Sequence, residues 1–141
     1  MGRYRHHGLL SAFAPADYAL ADAALVRVGM AHLAARDFTQ LSGGEQQLVW
    51  LAQLSLQYAQ VYLLDEPTHQ LDVYYRRQVF TLVHSWVTQH GKTVLCSTHD
   101  LDNLPALTGY LLNLSEPNPQ LRPLSPATVQ AAREWLEQVP R

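Results

Sequence analysis

Lysine occurs once in the 141 residues, as Lys92, and cysteine once, as Cys96. A single cysteine excludes an intramolecular disulfide and any cage of several thiolates around a metal, and it agrees with a reducing compartment. No apolar run approaches the roughly 20 residues needed to cross a bilayer. The basic start, Met1-Gly2-Arg3-Tyr4-Arg5-His6-His7, is followed by no apolar segment of the signal-peptide kind, so the cytoplasm is the expected location and direct membrane insertion is not expected. An excess of one charge is also lacking. Ten Lys and Arg stand against twelve Asp and Glu, for a net charge of −2, which argues against a partner made of nucleic acid or anionic lipid. The seven histidines include no i, i+4 pair beside a carboxylate, so a structural zinc site is not expected.

What is present is enough apolar residue, 48%, for a chain of this length to bury a core. Residues 17–30 place Tyr18, Ala21, Leu25 and Val28 at spacings of three and four, which predicts an amphipathic helix. Ser42 with Glu45 three residues later forms a capping box, which predicts a helix running to about Tyr58. Val61-Tyr62-Leu63-Leu64 is a short continuous apolar run, expected to be a strand buried on both faces. Asp72 is placed to cap a helix over residues 73–90 that Gly91 closes, and Thr93-Val94-Leu95-Cys96-Ser97 reads as the next strand, with Cys96 as a small core residue. A short helix is expected around residues 101–107, a strand at 110–114, and a loop over 115–124, where three prolines fall. Ser125-Pro126 then starts a last helix to about Gln138. The alternation of strand and helix after a purely helical start predicts an α/β fold with a parallel sheet and flanking helices, plus an N-terminal helical subdomain. The expected division is 1–57, ending in the helix that Ser42 caps, and 58–141.

Four stretches carry chemistry. In Leu41-Ser42-Gly43-Gly44-Glu45-Gln46-Gln47, two glycines at a helix start let backbone N–H groups approach a phosphate, with the helix dipole behind them. Alone, the same residues also read as an ordinary capped helix. Asp65 and Glu66 end the first strand, where ligands bind in open α/β sheets. There one carboxylate could orient the water shell of Mg²⁺ and the other polarise a water. Thr68-His69-Gln70-Leu71-Asp72 follows, and Ser97-Thr98-His99-Asp100 ends the next strand, where His99 could donate to a phosphate oxygen. Taken singly, Asp72 is a helix cap and His99 a surface histidine.

In this order, each on the element its chemistry requires, the four stretches resemble those of the ATP-binding-cassette (ABC) ATPases. Residues 41–47 are similar to the signature motif, residues 61–66 to the Walker B strand with its catalytic glutamate, residues 68–72 to the D-loop, and His99 to the switch histidine. The likeness extends over residues 1 to about 114. The segment from Gly2 to His6 is similar to the G-R-x-P-H stretch of iron-chelate, haem and vitamin B12 importer ATPases, with Arg5 where proline is usual. Residues 65–72 fit the same group. Leu48 stands where such proteins usually carry arginine, and Ala52-Gln53-Leu54-Ser55 where they carry A-R-A-L, which removes a helix-surface salt bridge; after Leu114 the usual glycine-containing hairpin is not expected.

The resemblance implies a partial P-loop NTPase fold, and it assigns Glu66, His99 and Asp72 to catalysis. It assigns Ser42, Gly43 and Gly44 to nucleotide across an interface, and Asp65 to Mg²⁺. It implies ATP and Mg²⁺ as cofactors of the full-length protein, a second ATPase domain arranged head to tail, and a membrane permease that the helical region faces. The adenine-stacking aromatic and the Q-loop glutamine would lie upstream, and no G-x-x-x-x-G-K-[ST] loop occurs in the chain. The chain is therefore expected to start after the Q-loop and to bind nucleotide weakly or not at all. Two other readings compete: a non-catalytic remnant that binds partners, and a translation-associated ABC protein, which would commonly carry N-H-L-D where this chain has His69-Gln70-Leu71-Asp72. DNA-repair ATPases with a coiled-coil insertion fit less well, because no heptad run appears.

The Walker A lysine and backbone supply most of the charge that holds the β- and γ-phosphates. The isolated chain is thus predicted to release no phosphate from MgATP above background in a coupled assay. Steady release that Glu66→Gln abolishes would contradict this.

Overall fold

The computed structural model describes residues 13–69 and 71–138, so the segment from Gly2 to His6 and Gln70 of the 68–72 stretch lie outside the described residues. The chain divides into two compact units, residues 1–97 and 98–141. The functional division expected at residues 57 and 58 falls inside the first of them.

The first unit opens with helix α1, Pro15–Arg27. Pro15 sits in its first turn, and the Asp17 carboxylate accepts the Ala14 N–H at 2.9 Å, so an acid neutralises the helix start. The helix ends three residues before the expected Met30. Gly29, at φ 74°, turns the chain left-handed. The Met30 N–H then bonds the Leu25 carbonyl at 2.8 Å and the Gly29 N–H the Val26 carbonyl at 3.0 Å, the paired bonds of a Schellman stop.

Helix α2, Gly43–Ser55, begins at the predicted capping box. Glu45 Oε2 accepts the Ser42 N–H at 2.8 Å, and Ser42 Oγ accepts the Glu45 N–H at 3.4 Å. Strand β1, Val61–Asp65, lies parallel to strand β2, Thr93–Ser97, in a register that sets Leu63 opposite Leu95 and Asp65 opposite Ser97. Between them runs helix α3, Val73–Thr88, capped by Asp72 Oδ1 on the Tyr75 N–H at 2.9 Å. Its buried residues Val79, Leu82, Val83 and Trp86 recur at spacings of three and four and pack into the core with Leu48, Leu51, Tyr62 and Leu64. Tyr62 and Trp86 anchor the strand to the helix, ring centroids 4.6 Å apart.

The strand pair corrects one expectation. Tyr62 and Leu64 are buried, but Leu63 is 72% and Leu95 67% exposed. Successive strand side chains point to opposite faces, and among the described residues helices cover one face. Cys96 is half-buried against the same core, and this burial pushes its thiol up to about 11, with the Asp65 and Glu66 charges adding to the shift. Leu48, where the resemblance implies arginine, is wholly buried and belongs to the core.

The second unit holds a 3₁₀ turn at Leu104–Ala106, strands β3 (Tyr110–Leu112) and β4 (Leu121–Pro123), and helix α4 (Pro126–Gln138). The helix expected at residues 101–107 shrinks to that turn because Pro105 brings no N–H to a helical ladder. The expected loop at 115–124 contains β4, which pairs antiparallel with β3 from Tyr110↔Pro123 to Leu112↔Leu121. A hairpin therefore exists where a proline-rich loop is expected. Pro123 is tolerated because it closes a short edge strand, and the loop is held by a forked Arg122–Glu116 pair with both bonds at 2.7 Å. Helix α4 starts at Pro126 as predicted, and Thr128 N–H donates to Ser125 Oγ at 3.2 Å.

No helix among the described residues is long and apolar enough to cross a membrane.

Leu48 lies at the centre of the first unit, so truncating it leaves a cavity. Leu48→Ala is expected to lower the unfolding free energy by about 2–5 kcal/mol, read as a shift of the urea midpoint without change of slope.

Candidate functional site

The site begins where β1 stops. Asp65 is the last strand residue and is exposed; Glu66 follows at φ 45°, a left-handed conformation that side chains larger than glycine rarely adopt. That turn is held from β2. The Glu66 N–H donates to the Ser97 carbonyl at 3.1 Å and to Ser97 Oγ at 3.2 Å, while the Ser97 hydroxyl donates to Asp65 Oδ1 at 2.5 Å. The chain then winds tightly, His69 N–H to Glu66 O at 3.0 Å and Leu71 N–H to Thr68 O at 3.2 Å, with Pro67 and Thr68 buried.

The first turn of α2 faces this turn. Gln47 Nε2 donates to the Pro67 carbonyl at 3.4 Å. A Cβ on Gly44 would sit 3.2 Å from Leu71 Cδ2 and 3.6 Å from Tyr75 Cδ2, whereas one on Gly43 would meet nothing within 4 Å. Gly44 thus lacks a side chain because the turn packs on it, and Gly43 leaves open space beside the helix N-terminus. A cavity of about 710 Å³ lies here, lined by Gly43, Gly44, Gln47, Asp65, Glu66, His69 and Leu71.

Four residues expected at the site therefore share one cavity: Gly43, Gly44, Asp65 and Glu66. Ser42 stands next to it as the helix cap, its hydroxyl donating to Glu45 Oε2 at 2.8 Å. Asp72 serves as the cap of α3. His99 belongs to the second unit, in a bend where the Asp100 N–H donates to Thr98 Oγ1 at 3.0 Å and Asn103 Nδ2 donates to both Asp100 carboxylate oxygens, at 3.2 and 3.1 Å.

Sequence reasoning gave no role to three residues that the geometry brings in: Gln47, His69 and Ser97. All three belong to the four stretches, and Gln47 and His69 could have been found from them. The part of Ser97 depends on register, which pairs it with Asp65 across the sheet.

The electrostatics are one-sided. Among the described lining residues none is Lys or Arg, and the two carboxylates face the positive end of the α2 dipole. A hydrated divalent cation fits this donor set better than a bare one. Mg²⁺ keeps most of its waters and needs one or two carboxylates, and no group of three or more His, Cys, Asp or Glu able to hold a metal occurs among the described residues.

The family pattern described as ABC transporter matches residues 5–69. The chain is 42% identical over 114 residues to the manganese transport system ATP-binding protein MntB of Bacillus subtilis (strain 168), covering 81% of this chain and 45% of that protein. It is 42% identical over 102 residues to the cobalamin import ATP-binding protein BtuD of Halobacterium salinarum (strain ATCC 29341 / DSM 671 / R1), covering 72% and 25%. Among solved structures, the dimeric structure of MJ0796, a bacterial ABC transporter cassette, superposes with a TM-score of 0.59 at 28% identity, covering 66% of this chain and 41% of that one. The inward-facing structure of a metal-chelate type transporter superposes at 0.74 with 32% identity, covering 87% and 49%. The chain spans less than half the length of these relatives.

The Glu45 carboxyl is held below its ordinary 4.5 by the Ser42 backbone N–H and then by the Ser42 hydroxyl. A carboxyl lowered by folding binds its proton less readily in the folded state, so its contribution is fully present above about pH 4.5 and is lost as pH falls through the folded value. Amide exchange in the first turn of α2 should therefore quicken as pH drops below that range, relative to its intrinsic rate. Glu45→Gln should remove this pH dependence.

Proposed function

The chain belongs to the ABC transporter ATPase family, and from that premise we propose that it is part of the ATP-binding, energy-coupling subunit of an importer for a metal ion or metal chelate such as an iron complex, haem or cobalamin. The observation that carries this reading is the single cavity in which Gly43, Gly44, Asp65 and Glu66 meet. Curated relatives that drive manganese and cobalamin transport support the choice of an importer.

In this reading Asp65 holds waters of a Mg²⁺ shell. When bound, Mg²⁺ neutralises charge on the β- and γ-phosphates. Glu66 accepts a proton from the attacking water at its carboxylate. His99 donates to a γ-phosphate oxygen, and Asp72 shapes the loop beside that water. Ser42, Gly43 and Gly44 present hydroxyl and backbone N–H groups to a nucleotide that a second ATPase domain holds, head to tail with this one. The Ser42 hydroxyl must first turn away from Glu45 to do so.

Among the described residues, none that lines the cavity is Lys or Arg. An apolar cavity of about 830 Å³ between α1, α2 and β1, beside the exposed Trp50 and Phe38, supports the expectation that this helical region meets a permease. The protein would then sit at the cytoplasmic face of the membrane through that partner. The same apolar cavity also fits a second reading, in which the chain binds partners without catalysis.

One experiment separates the two. The chain is joined to the N-terminal half of the Bacillus subtilis manganese transport protein, which is expected to restore phosphate release from MgATP. Glu66→Gln in that fusion should lower the rate about 10²-fold or more. A folded fusion that releases no phosphate would favour the partner-binding reading.

A further inference from the structure

We propose that Ser97 is a positioning residue of the site: its hydroxyl, seated between the Asp65 carboxylate and the Glu66 backbone, fixes the direction in which both acids face. Neither the chemistry expected of the strand-end histidine nor that of the two acids calls for a serine here. The register of the sheet does, because β1 and β2 end together with Asp65 opposite Ser97.

Three observations support the assignment. The hydroxyl donates to Asp65 Oδ1 across the strand pair. The same oxygen accepts the Glu66 N–H at 3.2 Å, so one hydroxyl acts on both acids at once. Glu66 is in the left-handed region at φ 45°, a conformation that is unfavourable for a residue with a Cβ and persists when its surroundings over-determine it. The two bonds from the Glu66 N–H to Ser97 are part of those surroundings.

The consequence is physical. An exposed aspartate at a strand end would otherwise sample several rotamers, and a carboxylate that must order a water shell loses effectiveness when its direction averages. Held by Ser97, Asp65 keeps one oxygen engaged across the sheet and one direction toward the cavity. Ser97 touches neither nucleotide nor water in this scheme; it acts through its two neighbours. The inference rests on the reading of Asp65 and Glu66 as the working acids, but its test does not.

The test uses the full chain labelled for NMR, without nucleotide or metal. The three-bond Hα–Hβ couplings of Asp65 report its χ1 distribution. The parent chain should show one large and one small coupling, the mark of a single rotamer. Ser97→Ala and Ser97→Cys, the latter keeping the volume with a weak donor, should collapse them to two intermediate values. Ser97→Thr should restore the parent pattern. The Glu66 amide proton should shift upfield in the first two variants and return in the third, while the amides of Leu63 and Leu95 stay in place and report an intact strand pair. Should Ser97→Ala fail to fold, the comparison of Ser97→Cys with Ser97→Thr decides alone. Unchanged Asp65 couplings in Ser97→Cys, or averaged couplings already in the parent chain, would overturn the assignment. Phosphate release by the fusion protein reads the roles of Asp65 and Glu66 separately, so one reading can fail while the other stands.

Discussion

The parallel pairing of β1 with β2 is the constraint on which the rest of this structure depends. Parallel strands share a direction, so their C-terminal ends meet at one edge, and here the register brings Asp65 against Ser97. The same pairing lets the chain leave β1 through the strained turn at Glu66 and return through α3. Tyr62 on Trp86 locks strand to helix beneath that edge. Shifting the register by one residue would turn Tyr62 and Leu64 outward and separate Ser97 from Asp65. Core and site are therefore set by one set of backbone bonds.

The helix N-terminus reaches this edge by close packing. Gly44 lies against Leu71, Gln47 bonds the Pro67 carbonyl, and Arg76 Nε donates to the Leu71 carbonyl at 2.7 Å. Helix α2, the turn after β1 and the start of α3 are thus tied together by short contacts around Leu71. The glycine pair has two jobs: Gly44 permits the packing and Gly43 leaves the backbone approachable. Charge in the cavity is carried by the carboxylates of Asp65 and Glu66.

The sheet is sided. Leu63 and Leu95 stand opposite one another on the exposed face, with Val61 beside them. This pattern, with the apolar cavity near Trp50, puts most of the exposed apolar surface of the first unit on the sheet and the helical region. Cys96, on the half-buried side, is kept a thiol by its burial and by the nearby acids.

Much of this could be read directly from the residues. Ser42 with Glu45, Asp72 and Ser125-Pro126 marked helix starts because capping is local chemistry, complete within four residues. The order of signature helix, acid-ended strand and next strand identified the family, since each stretch carries its own spacing. Other features needed the folded chain. A continuous apolar run such as 61–64 is compatible with one buried face or two, and only the packed layers decide which. The hairpin of β3 and β4 escaped notice because Pro117, Pro119 and Pro123 read as a loop until a partner strand and the Arg122–Glu116 fork hold them. The role of Ser97 is invisible along the chain: it lies 32 residues from Asp65, and hydrogen bonding between them exists because the strands align. Local signals are written in neighbouring residues, whereas burial, pairing and cross-strand bonds come from contacts that the linear order does not contain.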